Sequence, residues 1–395
     1  MKNINKDFFM KEQYNNGKKL VYFDNASTTF KPKQMIDGIN DYYKNYTSNV
    51  YRGDYINSEK ASMKLDECRE LVSLLLNSMT EEIIFTHNCS DSLNLICNMV
   101  NLNENDVVIC SDVEHHSNYL PWRNKCNLKV VKTDSFGILD LEDLENKLKE
   151  FSPKLVSITA ASNITGNIQP IKEICDLVHK YNSIAVIDGC QYIPHNSIDV
   201  KEIGCDFLAF SAHKMMGPTG VGILYGKMEI LKKCKIIKFG GGMVDKITDE
   251  NIRYKEIPDC FECGTPAIEG IIGFSCSLRY ILDIGYKEIE KHMKELEEYM
   301  HNKLKELDNI ELLFPISKKH IPIFTFNFKN KNLNIHYVAK ILSDAYNISV
   351  SAGYQCNQPL YNKVGVNGGI RVSLYIYNTK EEIDYFFNII NNLKI

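Results

Sequence analysis

The sequence predicts an α/β fold with a mainly parallel central sheet and a second, smaller α+β unit. Three observations carry this prediction. Short β-rich runs in the middle of the chain alternate with segments whose apolar residues recur at helical spacing. A long amphipathic helix follows them and is suited to open a second domain. With 395 residues, the chain is also long enough for two domains, or for a large domain with an appendage.

The predicted strands of the central sheet are five short runs: Asp106–Cys110, Leu155–Thr159, Ile184–Asp188, Phe207–Phe210 and Val221–Tyr225. A helical pattern lies between the second and the third of them, with apolar residues at i, i+3, i+4 and i+7: Ile171, Ile174, Cys175 and Val178. Such alternation is typical of a largely parallel sheet that binds its ligands at the carboxyl ends of the strands.

The smaller domain is predicted from its helices. Apolar residues at helical spacing mark the long helix between Ile289 and Leu307. The last helix begins at Thr379, whose side chain can cap it while Glu382 reaches back. We therefore expect a large domain of residues 21–285 and a smaller α+β domain of residues 1–20 and 286–395.

Composition excludes several classes of protein. Hydrophobic residues make up 44% and charged residues 24%, which is ordinary for a globular protein, and a net charge of -4 argues against nucleic-acid binding. No apolar run approaches the roughly 18 residues that span a bilayer, so we expect a cytoplasmic protein without a membrane partner. The 13 cysteines are odd in number and scattered, which indicates reduced thiols. Cys260 and Cys263 form a C-x-x-C motif without a second pair, so no metal site is expected.

The most informative stretch surrounds Lys214, which directly follows a predicted strand and precedes a glycine-rich turn. A lysine among Ser, His and small residues at a strand end can form a Schiff base. Asp188 ends an earlier predicted strand, and a carboxylate there can keep a pyridine nitrogen protonated. Both groups can meet at neighbouring strand ends.

The order and spacing of these motifs resemble the fold type I enzymes of the class V aminotransferase type, which depend on pyridoxal 5'-phosphate. The matching segments run from Tyr22-Phe-Asp-Asn-Ala to Tyr377-Asn-Thr379. In detail they are similar to the SUF-type branch of cysteine desulfurases and selenocysteine lyases.

The resemblance implies a role for each matching residue. Lys214 would bind the cofactor covalently, Asp188 would pair with its ring nitrogen, and His115 would stack on its ring. Gln191 would hydrogen-bond the phenolic oxygen, with Asn163 beside it. The implied positions around the cofactor phosphate are Cys89, Ser90, Ser211 and His213, together with Thr265 from a partner subunit, so a homodimer is implied as well.

The resemblance extends to sulfur chemistry through Cys356, in the loop Ala352-Gly-Tyr-Gln-Cys356-Asn-Gln-Pro359-Leu360. This loop is similar to the one around the persulfide-forming cysteine of the family. Arg371 matches the arginine that binds the substrate carboxylate, and Asn163 and Arg52 match further substrate contacts. The implied reaction converts L-cysteine to L-alanine and leaves a persulfide on Cys356. A SUF-type acceptor protein would then take the sulfur for iron–sulfur cluster assembly or synthesis of another thio-cofactor.

Four positions depart from the family pattern and bear on substrate and acceptor choice: Tyr51, Ser351, Tyr354 and Gln355. Two alternatives stay open. One is another class V enzyme with the same cofactor, namely a selenocysteine lyase, a cysteine lyase or a transaminase. The other is a catalytically silent protein of this fold that acts as an assembly partner. The presence of Lys214, Asp188, Cys356 and Arg371 counts against the second.

Overall fold

The computed structural model describes residues 4–330 and 332–393. Residues 1–3, 331, 394 and 395, which the predicted small domain includes, lie outside the described residues. The strands are β1 Tyr14–Asn15, β2 Lys18–Lys19, β3 Val21–Tyr22, β4 Ile83–Thr86, β5 Val107–Ser111, β6 Asn127–Val131, β7 Leu155–Thr159, β8 Ile184–Asp188, β9 Phe207–Ser211, β10 Gly222–Gly226, β11 Val244–Ile247, β12 Ile252–Tyr254, β13 Ile310–Leu312, β14 Ile323–Phe328, β15 Ile348–Ser349, β16 Ser351–Gly353 and β17 Gly369–Ser373.

The α-helices are α1 Lys33–Asn45, α2 Ile56–Leu76, α3 Cys89–Met99, α4 Leu120–Lys125, α5 Leu141–Phe151, α6 Ile171–Lys180, α7 Val200–Ile203, α8 Met228–Leu231, α9 Ile268–Ile284, α10 Tyr286–Lys305, α11 Ile335–Tyr346, α12 Gln358–Lys363 and α13 Lys380–Asn392. Short 3-10 helices cover Asn5–Asp7, Phe9–Glu12, Thr80–Glu82, His116–Asn118, Ala212–Lys214 and Asp259–Phe261.

A seven-stranded sheet forms the centre of the molecule, in the order β4-β10-β9-β8-β7-β5-β6. The pairs β5–β6, β5–β7, β7–β8 and β8–β9 are parallel, whereas β10 runs antiparallel to both of its neighbours. The predicted α/β fold with a mainly parallel central sheet is thereby confirmed. All five predicted strands lie in this sheet, within one residue of their predicted bounds.

The register of the central sheet brings the candidate site together. Thr159 at the end of β7 pairs with Asp188 at the end of β8, and Asp188 pairs with Ala209 in β9. All residues of β7 and β9 are buried, so both faces of the sheet are covered. The carboxyl ends of β7, β8 and β9 therefore share one edge, from which the chain continues towards Lys214.

A second, four-stranded antiparallel sheet comes from the C-terminal part of the chain, in the order β13-β14-β17-β16. The predicted long helix is α10, and the predicted cap of α13 is present: Glu382 N donates to Thr379 Oγ1 at 3.3 Å, and Thr379 N donates to Glu382 Oε2 at 3.3 Å. The early strand β3 pairs in parallel with β15, which ties the start of the chain to this region. The division into domains at residue 285 stays a prediction.

No helix in the described part of the chain is both long enough and apolar enough to cross a membrane.

Candidate active site

A cavity of about 550 Å³ opens at the carboxyl ends of β8 and β9, and residues of β16, β17 and the loop after β16 also line it. Most of the predicted site residues line this cavity: Cys89, Ser90, His115, Asn163, Asp188, Gln191, Ser211, His213, Lys214, Cys356 and Arg371. Residues from widely separated parts of the chain are thus brought together, although their individual roles stay predictions.

Lys214 ends the short 3-10 helix that follows β9, and the chain around it is held by its neighbour His213. The His213 carbonyl accepts hydrogen bonds from Thr29 N at 3.1 Å, Thr28 Oγ1 at 3.0 Å and Lys31 Nζ at 3.0 Å. Burial, together with the charges of Lys214 and Lys31, lowers the pKa of the His213 imidazole to about 4, so the ring is neutral near neutral pH. The convergence of donors on one carbonyl fixes the position of Lys214.

Asp188 lies at the floor of the cavity with only 4% of its surface exposed. Its Oδ1 atom accepts a hydrogen bond from Cys190 N at 2.9 Å and lies 3.6 Å from Cys89 Sγ. A contact with Cys190 and burial raise the pKa of the Cys89 thiol well above its ordinary value, so this group stays protonated. A buried carboxylate without a basic side chain bonded to it is suited to bind a cationic ring nitrogen.

His115 is held as a neutral imidazole. Burial is the main cause that lowers its pKa to about 3, and the charges of Lys214, His116 and Arg371 act in the same direction. Its Nδ1 atom accepts a hydrogen bond from Ser117 N at 3.1 Å. A neutral, partly buried ring in this position is suited to stack on a planar ligand.

The N-terminus of α3 faces the cavity and offers donors for an anion. Asn88 caps this helix by accepting a hydrogen bond from Asp91 N at 2.9 Å. Cys89 N donates to Ser211 Oγ at 2.9 Å, and Ser90 Oγ lies 2.5 Å from Ser117 Oγ. Clustered hydroxyls at a helix N-terminus are typical of phosphate sites.

Three hydrogen bonds to backbone carbonyls tie the loop that carries Cys356 to its surroundings. His116 N donates to Cys356 O at 2.9 Å, Asn163 Nδ2 donates to Gln355 O at 2.8 Å, and Gln355 Nε2 donates to Gly369 O at 3.0 Å. Gln355 and Cys356 have φ angles of 39° and 60°, in the left-handed region that non-glycine residues rarely adopt. Surrounding contacts must hold such a backbone, a situation that is frequent at functional sites. Cys356 itself is exposed at the mouth of the cavity.

Arg371 lies in β17 with 3% of its surface exposed. One Nη atom donates to Asn163 O at 3.0 Å, and the other donates to Asp24 Oδ1 at 3.0 Å and to Ser27 Oγ at 2.8 Å. Among the described residues, its buried Nε atom has no hydrogen-bond partner. These bonds use three of the five guanidinium N–H groups, so the guanidinium is held firmly while the Nε–H and one Nη–H are left for a ligand.

Two predicted site residues lie elsewhere. Thr265 and Arg52 are exposed and line a second cavity of about 170 Å³, which Lys214 does not line. The segment before Thr265 is anchored by Glu262, which forms a two-pronged ion pair with Arg69 at 3.0 Å for both bonds. Within a single chain, neither Thr265 nor Arg52 contributes to the cavity that contains Lys214.

Sequence reasoning missed several residues of the site, among them Asp24, Ser27, Ser117 and Cys190. The first two orient Arg371, and the last two line the cavity. Asp24 and Cys190 belong to the motifs Tyr22-Phe-Asp-Asn-Ala and Asp188-Gly-Cys-Gln, where a role could have been suspected. Ser27 and Ser117 carry no sequence signal, because only the fold brings them to the site.

The donors and charges of the cavity fit pyridoxal 5'-phosphate. They provide an amine at Lys214, a buried carboxylate at Asp188, a neutral ring at His115, and hydroxyls at the N-terminus of α3. The Gln191 amide donates to Ala26 O at 2.8 Å, so its predicted bond to the cofactor would compete with this contact or add to it.

Comparison with known proteins agrees with this arrangement. The sequence profile described as aminotransferase class-V matches residues 21–386. A protein of Halalkalibacterium halodurans named probable cysteine desulfurase is 40% identical over 390 residues, covering 96% of this chain and 95% of the relative. The chain belongs to the class V cysteine desulfurase family.

Further members of the family extend the agreement. The protein of Haloferax volcanii named cysteine desulfurase is 36% identical over 375 residues, covering 92% of this chain and 87% of the relative. The apo structure of the cysteine desulfurase of Thermococcus onnurineus superposes with a TM-score of 0.93 at 34% identity, covering 99% of this chain and 97% of the other. The predicted family and the predicted fold type are confirmed by these similarities. The SUF branch of the family stays a prediction.

Proposed function

We propose that this enzyme converts L-cysteine to L-alanine and keeps the sulfur as a persulfide on Cys356. The observation that carries the proposal is that one cavity is lined by Lys214, Asp188, Arg371 and Cys356. A transaminase or a lyase that releases free sulfide would have no use for a cysteine held at the mouth of the cavity.

Pyridoxal phosphate, when bound, supplies an electron sink for the electrons of the substrate Cα–H bond. Lys214 would hold the cofactor, and its amine, when free, would remove the α-proton of the substrate. Asp188 would keep the ring nitrogen protonated, and His115 would hold the ring from one face. Ser90, Ser211 and His213 would contact the phosphate, with Cys89 at the N-terminus of α3 beside them.

Arg371 would bind the substrate carboxylate through its Nε–H and the second N–H of the Nη atom that donates to Asn163, since its other three N–H groups already bond to Asn163, Asp24 and Ser27. Asn163 also bonds to the backbone of the Cys356 loop, so it links the carboxylate site to the nucleophile. With the carboxylate fixed, the substrate sulfur can be placed before Cys356, whose thiolate form is the attacking nucleophile.

The persulfide sulfur would pass to an acceptor protein of the SUF type for iron–sulfur cluster assembly or another thio-cofactor. Cys356 is exposed, but its short loop is tied by three hydrogen bonds to backbone carbonyls, so the acceptor would have to approach the cavity mouth. Transfer of the sulfur would then limit turnover. The cytoplasmic location expected from the sequence stays a prediction.

The active unit would be a homodimer. Thr265 is exposed and lies outside the cavity of its own chain, as expected of a residue that completes the phosphate site of a partner subunit. Arg52 lines the same second cavity and would likewise contribute to the site of the partner subunit.

The proposal is tested by the formation of alanine from L-cysteine. Lys214→Ala should abolish both the visible absorption of the bound cofactor and alanine formation, whereas Cys356→Ser should keep the absorption and lose cysteine desulfuration. Cys126→Ser, at another partly exposed cysteine, serves as the matched control and should behave as the wild type. Full activity of Cys356→Ser would exclude the proposed nucleophile.

A small acceptor protein of the same organism should raise the steady-state rate of alanine formation. Equal rates with every acceptor would contradict the proposal that sulfur transfer limits turnover.

A further inference from the structure

Two cysteines and an aspartate meet at the floor of the cavity. The ligand atoms of Cys89, Asp188 and Cys190 all lie within 4.8 Å of one another, and all three residues are buried. The proposed reaction uses the carboxylate of Asp188 but neither thiol. Because Cys89 and Asp188 are separated by 99 residues, the spacing of the cysteines does not reveal this group, and the sequence predicted no metal site.

We infer that Cys89, Asp188 and Cys190 form a binding site for a thiophilic divalent metal ion such as Zn²⁺, occupied in place of the cofactor. Binding of the ion would displace the proton of the Cys89 thiol, because a cysteine binds zinc as a thiolate. Two thiolates and one carboxylate are then a donor set that zinc and similar soft ions prefer. The claim that metal ion and cofactor exclude each other rests on the proposed function, whereas the metal site itself does not.

The geometry suits a tetrahedral ion. Zinc bonds of about 2.3 Å to sulfur and about 2.1 Å to oxygen, at a tetrahedral angle, place the two ligand atoms about 3.6 Å apart. The distance from Cys89 Sγ to Asp188 Oδ1 is 3.6 Å. Two sulfurs on one zinc ion lie about 3.8 Å apart. Since Cys190 Sγ is within 4.8 Å of both other atoms, a shift of roughly 1 Å completes the set.

The contacts around the three residues hold them in place for such an ion. Cys190 N donates to Asp188 Oδ1 at 2.9 Å, which orients the carboxylate. Cys89 N donates to Ser211 Oγ at 2.9 Å at the start of α3. Partners of this kind orient metal ligands and tune affinity. The cavity of about 550 Å³ on the open side leaves room for a fourth ligand, such as water or the thiolate of free L-cysteine.

Position and charge explain why metal and cofactor should exclude each other. Asp188 is the predicted partner of the cationic ring nitrogen, and a carboxylate oxygen bound to a metal ion is no longer free for that bond. Two thiolates, one carboxylate and one divalent ion together carry one net negative charge, so the exclusion follows from position: the ion and the cationic ring nitrogen would compete for the same carboxylate and repel each other at close range. Metal bound in the cofactor-free protein would thus block loading of the cofactor.

The test uses cadmium as a spectroscopic probe of thiolate binding. The full chain carrying Cys356→Ser, which removes the exposed thiol, is freed of cofactor with hydroxylamine and titrated with Cd²⁺. We expect a saturable ultraviolet charge-transfer band at one ion per chain. Cys89→Ser and Cys190→Ser should each weaken binding more than about tenfold, the loss that follows even the removal of an outer partner. Cys234→Ser, at a partly buried cysteine outside the cavity, is the matched control and should bind as the parent does.

A second measurement needs no substitution at the site. Bound Cd²⁺ should protect Cys89 and Cys190 from alkylation, as read by peptide mass spectrometry, and prior loading with pyridoxal phosphate should prevent cadmium binding. Unchanged binding in the Cys89→Ser/Cys190→Ser double variant, or protection of other cysteines only, would overturn the metal site. Cadmium bound through both thiols in the cofactor-loaded protein would overturn the mutual exclusion. A chain that binds cadmium here but no pyridoxal phosphate would instead refute the proposed function.

Discussion

At the scale of single residues, most polar groups of the candidate site form hydrogen bonds within the protein, and a few donors are left without a partner among the described residues. Arg371 illustrates this, because its two Nη atoms are bonded to the protein while its buried Nε atom has no partner. Buried donors without partners are uncommon and cost free energy in the absence of a ligand. We interpret this donor, together with the second N–H of the Nη atom that bonds to Asn163, as kept for the substrate carboxylate.

Arg371→Lys should raise the KM for L-cysteine roughly thirtyfold, because a lysine cannot reproduce the planar guanidinium and a charged hydrogen bond contributes about 2 kcal/mol. The cofactor absorption should persist. KM is measured from alanine formation over a range of L-cysteine concentrations, with the exposed Arg123→Lys as the control. An unchanged KM in Arg371→Lys would show that another group binds the carboxylate.

His195 makes stability depend on pH. It is buried, and its Nδ1 atom has no hydrogen-bond partner in the described part of the chain. Burial, followed by the charge of His320, lowers its pKa to about 3. Between pH 6.5 and this value only the unfolded chain binds the proton, so stability is fully present above pH 6.5 and is lost as the pH falls. At pH 5 the free energy of unfolding of the wild type should be about 2 kcal/mol lower than above pH 6.5, and His195→Phe should remove this decrease. Urea unfolding at pH 5 and pH 7.5 checks this, with the exposed His336→Gln as control; an equal pH dependence in wild type and His195→Phe would speak against it.

At the scale of elements, the Cys356 loop combines left-handed backbone with side-chain anchors. Gln355 donates to Gly369 O at 3.0 Å, and its Oε1 atom accepts a hydrogen bond from the Tyr361 hydroxyl. Gln355, one of the four positions that depart from the family pattern, makes both of these bonds. These two bonds add to the backbone bonds from His116 and Asn163 in positioning the nucleophile.

Gln355→Asn should slow persulfide formation roughly tenfold to thirtyfold while the cofactor absorption is kept. Asparagine tolerates the left-handed backbone but is too short to make both bonds, each of which contributes about 1 kcal/mol. Tyr361→Phe removes one bond only and should have an intermediate effect. Single-turnover alanine formation measures the rate, and equal rates in all three proteins would show that the anchors do not position Cys356.

Much of the fold could be predicted because its signals are local. The strands Leu155–Thr159 and Ile184–Asp188 were predicted with their observed bounds, and the cap at Thr379 was read from residues three apart. The antiparallel direction of β10 could not be predicted, since strand direction depends on how the chain returns across the sheet. The contact of Arg371 with Asp24 likewise joins residues 347 positions apart.

At the scale of the whole molecule, one chain leaves part of the predicted site outside its own cavity. Thr265 and Arg52 are exposed at a second cavity, and the ion pair between Arg69 and Glu262 fixes the segment before Thr265. An exposed threonine on an anchored segment is consistent with a residue that contacts the active site of a neighbouring subunit. We therefore expect composite sites in a homodimer.

Co-expression of Lys214→Ala with Thr265→Ala should recover activity that exceeds the contributions of the two variants made separately. In a mixed dimer, one site combines the intact Lys214 of one subunit with the intact Thr265 of the other. Alanine formation by the purified mixed dimer is the measurement, and co-expression of Lys214→Ala with Lys214→Ala/Thr265→Ala is the control. A fully active monomer, or no gain in the mixed dimer, would exclude composite sites.

The central claim is that Cys356 receives the sulfur of L-cysteine. The most direct measurement is peptide mass spectrometry after one addition of L-cysteine without reductant, with alanine quantified in the same sample. The account predicts a mass gain of one sulfur atom on the peptide that contains Cys356, in an amount that matches the alanine formed. Alanine formed with the sulfur on another cysteine, or released entirely as sulfide while Cys356 stays unmodified, would contradict it.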